Sequence, residues 1–155
     1  MRISTKGRYA LRMLTDIALN QGDSSVALKD VAERQDISKK YLEQIAVLLG
    51  QAGVLRGSRG HQGGYRLAGE PEEYSIQYLL NLVEGCIAPV ACLDCEPDDP
   101  CPYRDSCLTL PLWVGLDKVV NDYLSHITLL DLLSGNVPEA EISWKKAPSD
   151  VQNQE

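Results

Sequence analysis

Phenylalanine is absent from this 155-residue chain, which leaves aromatic packing to seven Tyr and two Trp. Long apolar runs are absent as well. The first apolar stretch, residues 9–19, is interrupted by Arg12 and Asp16, and no run approaches the roughly 18 residues that a membrane-spanning helix needs. These absences argue against a signal peptide and a membrane partner, and they predict a cytoplasmic protein.

Positive charge is scarce overall. The net charge of −7, taken alone, argues against a nucleic-acid partner. The distribution reverses this argument, because residues 1–66 hold eleven Lys and Arg against six Asp and Glu, while residues 67–155 hold four against sixteen. A basic front half and an acidic back half predict polyanion contact at the front and sensing or assembly at the back.

Cysteine is concentrated in one place. Four of the five cysteines lie within sixteen residues, from Cys92 to Cys107. In a reducing cytosol such a cluster is more often a metal or redox site than a structural disulfide framework. The acidic side chains of the same loop predict a raised pKa for its thiols. The fifth cysteine, Cys86, is predicted to be a small buried apolar residue.

Apolar residues at helical spacing predict six helices, and a capping residue or a helix-starting proline precedes five of them. They are expected after Ser4, at residues 28–35, after Ser38, at residues 76–84 after Ser75, from Pro111 over about sixteen residues, and after Thr128. Gly22, Gly53 and Gly135 are the predicted ends of the first, third and last. Short strands are predicted at residues 54–56 and 65–67, around a Gly-rich turn.

Three short helices followed by a hairpin is the order of a winged helix-turn-helix. We therefore predict a mainly α fold with a small β-hairpin wing and a long C-terminal dimerisation helix. The predicted regions are the DNA-binding region 1–68, the connecting helix and cysteine loop 69–110, the dimerisation helix and short last helix 111–135, and a flexible tail 136–155.

The third helix is predicted to read DNA. Lys39, Lys40 and Tyr41 lie in its first turn, where such helices meet phosphates and base edges. Gln44 can pair with adenine, and Glu43 can accept a hydrogen bond from cytosine. The alternative is an ordinary solvated helix face.

The hairpin is predicted to be the wing. Its glycines allow the backbone to approach a sugar-phosphate wall closely, and an Arg at its tip can enter a narrow minor groove. The alternative is an ordinary Gly-rich turn, with His61 as a polar turn residue. The predicted contacts are Arg56, Arg59, Gly60, His61, Gly63 and Gly64.

The long C-terminal helix carries more apolar surface than a small domain covers, so we predict a homodimer. About sixteen residues would span roughly 24 Å. The predicted dimerisation residues are Leu112, Trp113, Leu116, Val119, Val120, Tyr123, Leu124 and Ile127.

Several segments together resemble a known family, the IscR-type winged-helix iron–sulfur transcriptional regulators, in the same superfamily as the NsrR and CymR regulators. These segments are residues 1–10, 33–38, 41–44, 59–65, 107–109 with Trp113, and 126–129. The resemblance covers about residues 1–135. It implies a homodimer with one [2Fe–2S] cluster per subunit, DNA contacts from the recognition helix and wing, and a role for Glu43 in choosing sites.

The resemblance leaves the cluster ligands open among Cys92, Cys95, Cys101 and Cys107. Cys95, Cys101 and Cys107 match the spacing of IscR, whereas relatives with a longer loop would use Cys92, Cys101 and Cys107. The histidine that the family places three residues after the last cysteine is Leu110 here, and the NsrR-type aspartate falls at Arg8. The fourth ligand is therefore the spare cysteine or a group outside the loop.

The expected function is a non-enzymatic regulator that binds promoter DNA, senses iron–sulfur status and controls cluster biogenesis genes. Thiolates suit zinc as well, so the alternative is a zinc-stabilised or thiol-redox winged-helix regulator of cysteine or stress metabolism. A small redox enzyme using Cys92 and Cys95 is a further rival, but the pair lacks the βαβ context of such enzymes.

Overall fold

Helices form most of the described chain, and one hairpin separates the third helix from the fourth. The computed structural model describes residues 3–22, 24–60, 63–93 and 101–138. In chain order the elements are α1 (Thr5–Asn20), α2 (Leu28–Gln35), α3 (Lys39–Gln51), β1 (Leu55–Ser58), β2 (Gly64–Leu67), α4 (Ile76–Glu84), α5 (Leu110–Ser125) and α6 (Leu129–Ser134).

Side-chain caps start four of these helices, as the sequence predicts. Ser4, Ser38 and Ser75 each accept a hydrogen bond from a backbone N–H in the first turn of α1, α3 and α4. Thr128 and Asp131 cap the start of α6 reciprocally. These bonds satisfy N–H groups that a helix leaves without intrahelical partners. The predicted glycines mark three of the helix ends: Gly22, Gly53 and Gly135 lie one or two residues after α1, α3 and α6, each with a positive φ.

The helix-turn-helix is formed by α2 and α3. Asp36 adopts the left-handed conformation with φ 51° and ends α2, and Ile37 is buried directly after it. An Asp tolerates this conformation better than most residues. The tight turn sets the direction in which α3 leaves the core.

The wing differs from its predicted bounds because pairing, not composition, sets its register. β1 and β2 pair antiparallel from Leu55 opposite Leu67 to Ser58 opposite Gly64. Val54 lies before the hairpin, where its N–H donates to the Leu49 carbonyl at 2.9 Å and closes the end of α3.

A segment before α2 anchors the wing, which the sequence did not predict. Val26 and Tyr65 exchange two backbone hydrogen bonds of 2.8 Å. A Cβ at Gly64 would lie 2.3 Å from the Val26 carbonyl oxygen, so only glycine allows this approach.

One core joins both halves of the described chain. α4 packs on α1 and on α5, and α6 packs on α1. Ser75 and Thr128 form an isolated β-bridge that holds the start of α4 against the junction of α5 and α6. The largest side chains below 2% exposure are Met13, Leu14, Ile17, Val31, Leu42, Ile45, Leu49, Val54, Leu79, Val83 and Leu129.

The long helix α5 has the predicted length of sixteen residues and carries Pro111 in its first turn. None of its sixteen described residues is fully buried. Within the described ranges, no helix is both long and apolar enough to cross a membrane.

Candidate nucleic-acid interface and cysteine site

The outer face of α3 is open to solvent along its whole length. Leu42, Ile45 and Leu49 point into the core. The exposed face, opposite, consists of Lys39, Lys40, Glu43, Gln44, Val47 and Gln51. Tyr41 differs from its neighbours because it is half-buried, with its ring edge-on to Tyr9 of α1 at a centroid distance of 5.7 Å.

Lys39 and Glu43 form an ion pair on this face. Lys39 Nζ lies 3.4 Å from Glu43 Oε1, and both side chains are more than half exposed. Such a pair contributes at most about 1 kcal/mol. Either group can therefore leave its partner at small cost when a phosphate or a base edge competes for it.

A groove of about 500 Å³ separates the start of α3 from the wing. Lys39 and Glu43 line the groove from α3, Arg59 and the wing glycines line it from the hairpin, and Lys29 of α2 is also part of the lining. Lys29 was not among the predicted contacts. Its outward position next to buried Leu28 and Val31 was the signal that could have identified it.

The wing turn is built for close backbone approach. Gly60 has φ 112°, and a Cβ at Gly63 would lie 2.7 Å from the Ser58 carbonyl oxygen and 2.8 Å from that of Gly60. Arg56 and Arg59 are exposed. His61, another predicted contact, lies outside the described residues.

A buried charge holds the helix-turn-helix against α1. Asp16 is 3% exposed and accepts hydrogen bonds from the Arg34 guanidinium on both oxygens and from Gln35 Nε2 at 2.9 Å. Burial raises the pKa of Asp16, but the hydrogen bonds from Arg34 and Gln35 and the charge of Arg34 lower it more, so the pKa lies below its ordinary value. The ionised pair fixes α2, and with it the start of α3.

Three of the four clustered cysteines lie in described residues. Cys92 belongs to a single 3₁₀ turn, Ala91–Leu93, Cys101 begins the next described segment, and Cys107 precedes α5. All three are free and half-buried. Cys95 lies outside the described residues. Arg104 joins the two segments, because its Nη1 donates to the Cys92 carbonyl at 3.0 Å.

Cys107 corrects the expectation of a raised thiol pKa. The Thr109 hydroxyl lies 3.3 Å from its Sγ. Hydrogen bonds from that hydroxyl and from the backbone N–H groups of Thr109 and Leu110 lower the pKa of Cys107. These N–H groups belong to the start of α5, where a helix favours negative charge. The nearby acidic side chains therefore do not decide the state of this thiol.

The donor chemistry fits an iron–sulfur cluster or zinc, since both take thiolates. Within the described residues, however, no three His, Cys, Asp or Glu side chains are grouped so that they could hold a metal ion. Cys86 corrects a second expectation, since it is half-buried and disulfide-bonded rather than a small buried apolar residue.

The apolar face of α5 is exposed at four of the eight predicted dimerisation residues. Leu112 and Val119 are 63% and 67% exposed, and Leu116 and Tyr123 about 40%. Trp113, Val120 and Leu124 are half-buried. Val120 and Leu124 line, with Val119, Tyr123, Ile3 of the N-terminal segment and Leu80 of α4, a groove of about 320 Å³ whose lining is apolar.

Ile127 does not belong to this face. It is 3% exposed, and its carbonyl accepts the Ile76 N–H at 2.8 Å. α5 ends at Ser125, so the chain turns and carries Ile127 into the core instead of along the helix. Val114, at 46% exposed, is an apolar residue of α5 that the predicted set omitted.

Comparisons with known proteins agree with this architecture. A family model described as Rrf2, iron-dependent transcriptional regulator, matches residues 3–135. Protein rrf2 of Nitratidesulfovibrio vulgaris is 37% identical over 134 residues, 86% of this chain and 87% of that protein. The HTH-type transcriptional regulator IscR of Vibrio vulnificus is 38% identical over 136 residues, 88% of this chain and 79% of that protein.

Two solved structures share the fold. One is CymR, described as the global cysteine regulator of B. subtilis, with 33% identity, a TM-score of 0.70, and coverage of 87% of this chain and 98% of that chain. The other is IscR of T. potens, with 31% identity, a TM-score of 0.68, and coverage of 94% of both chains. The predicted resemblance and the mainly α winged-helix fold are confirmed, and the named relatives are regulators rather than enzymes.

Proposed function

The chain belongs to the Rrf2 family of transcriptional regulators, and we propose that it binds promoter DNA as a homodimer whose affinity or site choice depends on a [2Fe–2S] cluster. The observation that carries this proposal is the arrangement of free thiols. Cys92, Cys101 and Cys107 lie in two segments that Arg104 joins, directly before the exposed helix α5.

The DNA contacts proposed are those of the groove between α3 and the wing. Lys39, Lys40, Arg56 and Arg59 supply positive charge for phosphates. Glu43 and Gln44 have the chemistry to read base edges, and the glycines Gly60, Gly63 and Gly64 give the wing backbone close access. Tyr41 packs its ring on Tyr9 and donates its backbone N–H to the Ser38 cap, which leaves its hydroxyl as the group available to DNA. His61 stays a predicted contact.

The homodimer is proposed to form through α5. Its exposed apolar side chains, Leu112, Leu116, Val119 and Tyr123, form a patch that a monomer would leave in water. A two-fold axis through this helix would present two α3 helices to two half-sites, which predicts a pseudo-palindromic operator.

Cys101 and Cys107 are proposed as cluster ligands, together with Cys92, Cys95 or both. A lowered pKa supports Cys107 as a ligand, because a metal binds the thiolate form. Leu110 cannot ligate, so a fourth cysteine is the nearest replacement for the family's histidine. When bound, the cluster supplies a redox-active group whose loss changes the charge of this loop. The residues around it position the thiols and link them to α5.

Control of cluster biogenesis genes is proposed from the IscR-like character of the chain. A second candidate is a zinc-stabilised or thiol-redox regulator of cysteine metabolism. Two observations favour it: the disulfide-bonded Cys86 and the fold shared with CymR. The two candidates differ in what the clustered thiols bind, so metal analysis separates them.

Four single Cys→Ala variants at positions 92, 95, 101 and 107, purified without oxygen, test the cluster proposal. We expect Cys101→Ala and Cys107→Ala to lose iron and sulfide, because both belong to each triad. At least one of the other two should lose them as well. The matched control is Ser106→Ala, an exposed position next to Cys107 that carries no thiol, which should keep the cluster. Full zinc occupancy without iron or sulfide would contradict the cluster and support the second candidate.

A further inference from the structure

Glu84, the last residue of α4, holds the start of α1. Its Oε1 accepts three hydrogen bonds: from the Ser4 hydroxyl at 2.8 Å, from the Ser4 N–H at 3.0 Å and from the Gly7 N–H at 2.9 Å. The first turn of a helix has N–H groups without intrahelical partners, and a carboxylate there is favoured by the helix dipole. Glu84 therefore anchors α1 from a position 80 residues further along the chain.

The fit between Glu84 and α1 leaves no spare room. A Cβ on Gly7 would lie 2.3 Å from Glu84 Oε1 and 3.1 Å from a methyl carbon of Leu80. Ala is normally the better residue inside a helix. Glycine at position 7 thus allows the carboxylate to reach the backbone, which indicates that this contact sets the position of α1 on α4.

Glu84 also lies between the two functional regions. Gly85 follows it with φ 89° and no atom within 4 Å of a Cβ position, and the chain then runs through Cys86 to Cys92. In the other direction, Tyr9 of α1 packs edge-on against Tyr41 in the first turn of α3, and α1 also packs on α2 and β2. The backbone from Cys92 to Glu84 and the contacts of α1 with α4, α3 and β2 therefore link the cysteine segment to both parts of the DNA-binding surface.

We propose that Glu84 is a positioning residue that couples the state of the cysteine segment to the recognition helix through α1. A change in the segment after Gly85 alters the last turn of α4 and the three bonds to Ser4 and Gly7. The start of α1 then shifts against α4, and Tyr9 shifts with it beneath Tyr41. This inference rests on the proposed cluster-dependent DNA binding and adds the residue that would transmit it.

The test compares DNA affinity in cluster-loaded and cluster-free protein for four proteins: wild type, Glu84→Ala, Glu84→Gln and Gly7→Ala. The probe is a duplex obtained by in vitro selection with the wild-type protein. Coupling between two sites usually changes affinity by about 5- to 150-fold. The ratio of interest is the DNA affinity of the cluster-loaded protein against that of the cluster-free protein. We expect this ratio to fall below about 2-fold in Glu84→Ala and Gly7→Ala while iron and sulfide content stay at the wild-type level. Glu84→Gln keeps an acceptor oxygen without the charge and should retain part of the ratio.

Gln77→Ala is the matched control. Gln77 lies on the same helix, and its Nε2 donates to Asn121 of α5 at 2.8 Å without touching α1. The Gln77→Ala protein should keep the wild-type ratio of DNA affinities in the two cluster states. The double variant Gly7→Ala/Glu84→Ala should resemble Glu84→Ala, because the added methyl no longer meets a carboxylate and the two effects are not additive.

A second measurement does not need the cluster. In cluster-free protein, the amide hydrogens of Ser4 and Gly7 should exchange faster in Glu84→Ala than in wild type, since they lose their acceptor. Unchanged exchange would overturn the anchor itself.

The remaining outcomes separate this inference from the function on which it rests. A Glu84→Ala protein that binds DNA more weakly in both states but keeps the wild-type ratio would show a purely structural role and overturn the inference alone. Loss of iron from Glu84→Ala but not from Gly7→Ala would make Glu84 a ligand, which also overturns it. A wild-type protein with equal affinity in both states would remove the proposed function and the inference together.

Discussion

At the scale of single residues, Glu43 is the side chain that we propose to affect DNA sequence specificity most. It is exposed on α3, faces the wing across the groove and pairs with Lys39 only weakly. A carboxylate among phosphates and base acceptors excludes wrong sequences more than it attracts right ones. Glu43 should therefore influence which sites are bound, whereas the wing arginines should influence how tightly any site is bound.

We predict that Glu43→Ala relaxes sequence choice, while Arg59→Ala weakens binding to every duplex and reduces the salt slope by about one phosphate contact. Binding titrations on a panel of single-mismatch duplexes at several salt concentrations distinguish the two effects. The assignment of Glu43 fails if Glu43→Ala leaves the ranking of the panel unchanged.

Asp16 is the residue whose protonation should matter most for stability. Its pKa is lowered in the folded protein, so its contribution is present above the ordinary value of 3.8 and is lost as pH falls through the lowered pKa. We predict that Asp16→Asn destabilises the protein at neutral pH by about 1–3 kcal/mol, the usual cost of losing hydrogen bonds to a charged group. The partly exposed Arg34 can regain water, which limits the cost.

Chemical denaturation of Asp16→Asn and wild type as a function of pH checks this prediction. The difference between the two should shrink once the pH falls below about 3.8. Glu72→Gln, at an exposed position, serves as the control. A difference that stays constant from neutral to acidic pH would contradict the role of the ionised carboxylate.

At the scale of elements, the wing depends on its contact with the segment before α2. We predict that Gly64→Ala lowers the free energy of unfolding by about 1–3 kcal/mol, the range for overpacking, because its Cβ would meet the Val26 backbone. DNA affinity should fall as well, since the wing must move away from Val26. Thermal unfolding and duplex titration measure both effects.

Gly57→Ala is the matched control on the partner strand, where the nearest atom to a Cβ is the Tyr65 ring at an ordinary 3.5 Å. It should be close to wild type in both assays. Equal behaviour of the two variants would show that the Val26 bridge does not position the wing.

The elements also show which features a sequence can predict. The bounds of α2 and α4 were predicted correctly because local residues set them. Asp36 adopts the left-handed conformation at the end of α2, and Ser75 caps the start of α4. The strand bounds were less accurate, since their register depends on pairing across the hairpin. The Val26 bridge, the Asp16–Arg34 pair and the Glu84 anchor join distant positions, and no local pattern encodes them.

The site was predictable to a similar degree. Helical periodicity identified the exposed face of α3 and most of the apolar face of α5. It also extended α5 to Ile127, because spacing alone does not show that the helix ends at Ser125. The lowered pKa of Cys107 arises first from the Thr109 hydroxyl and then from the N–H groups of Thr109 and Leu110, a three-dimensional effect that counting acidic neighbours could not reveal.

At the scale of the whole molecule, the proposed binding to two half-sites requires two copies of the chain. We predict that Leu116→Asp or Val119→Asp gives monomers with strongly reduced operator affinity, because a charge on the apolar face opposes association and the two half-sites lose their linkage. Both residues are well exposed in the single chain, so folding should survive. Sedimentation equilibrium measures the oligomeric state.

Lys118→Asp places the same charge on an exposed position of α5 outside this face, and it should remain dimeric. A wild-type protein that sediments as a monomer at micromolar concentration would contradict the proposed assembly.

The central claim is that the cysteine segment changes how the chain binds DNA. The most direct measurement is an anaerobic titration of selected duplexes with wild-type protein, first loaded with iron and sulfide and then freed of both by a chelator. The account predicts an affinity difference of about 5- to 150-fold for at least one class of duplex, lost in Cys107→Ala. Identical titration curves for the two forms on every duplex would contradict it.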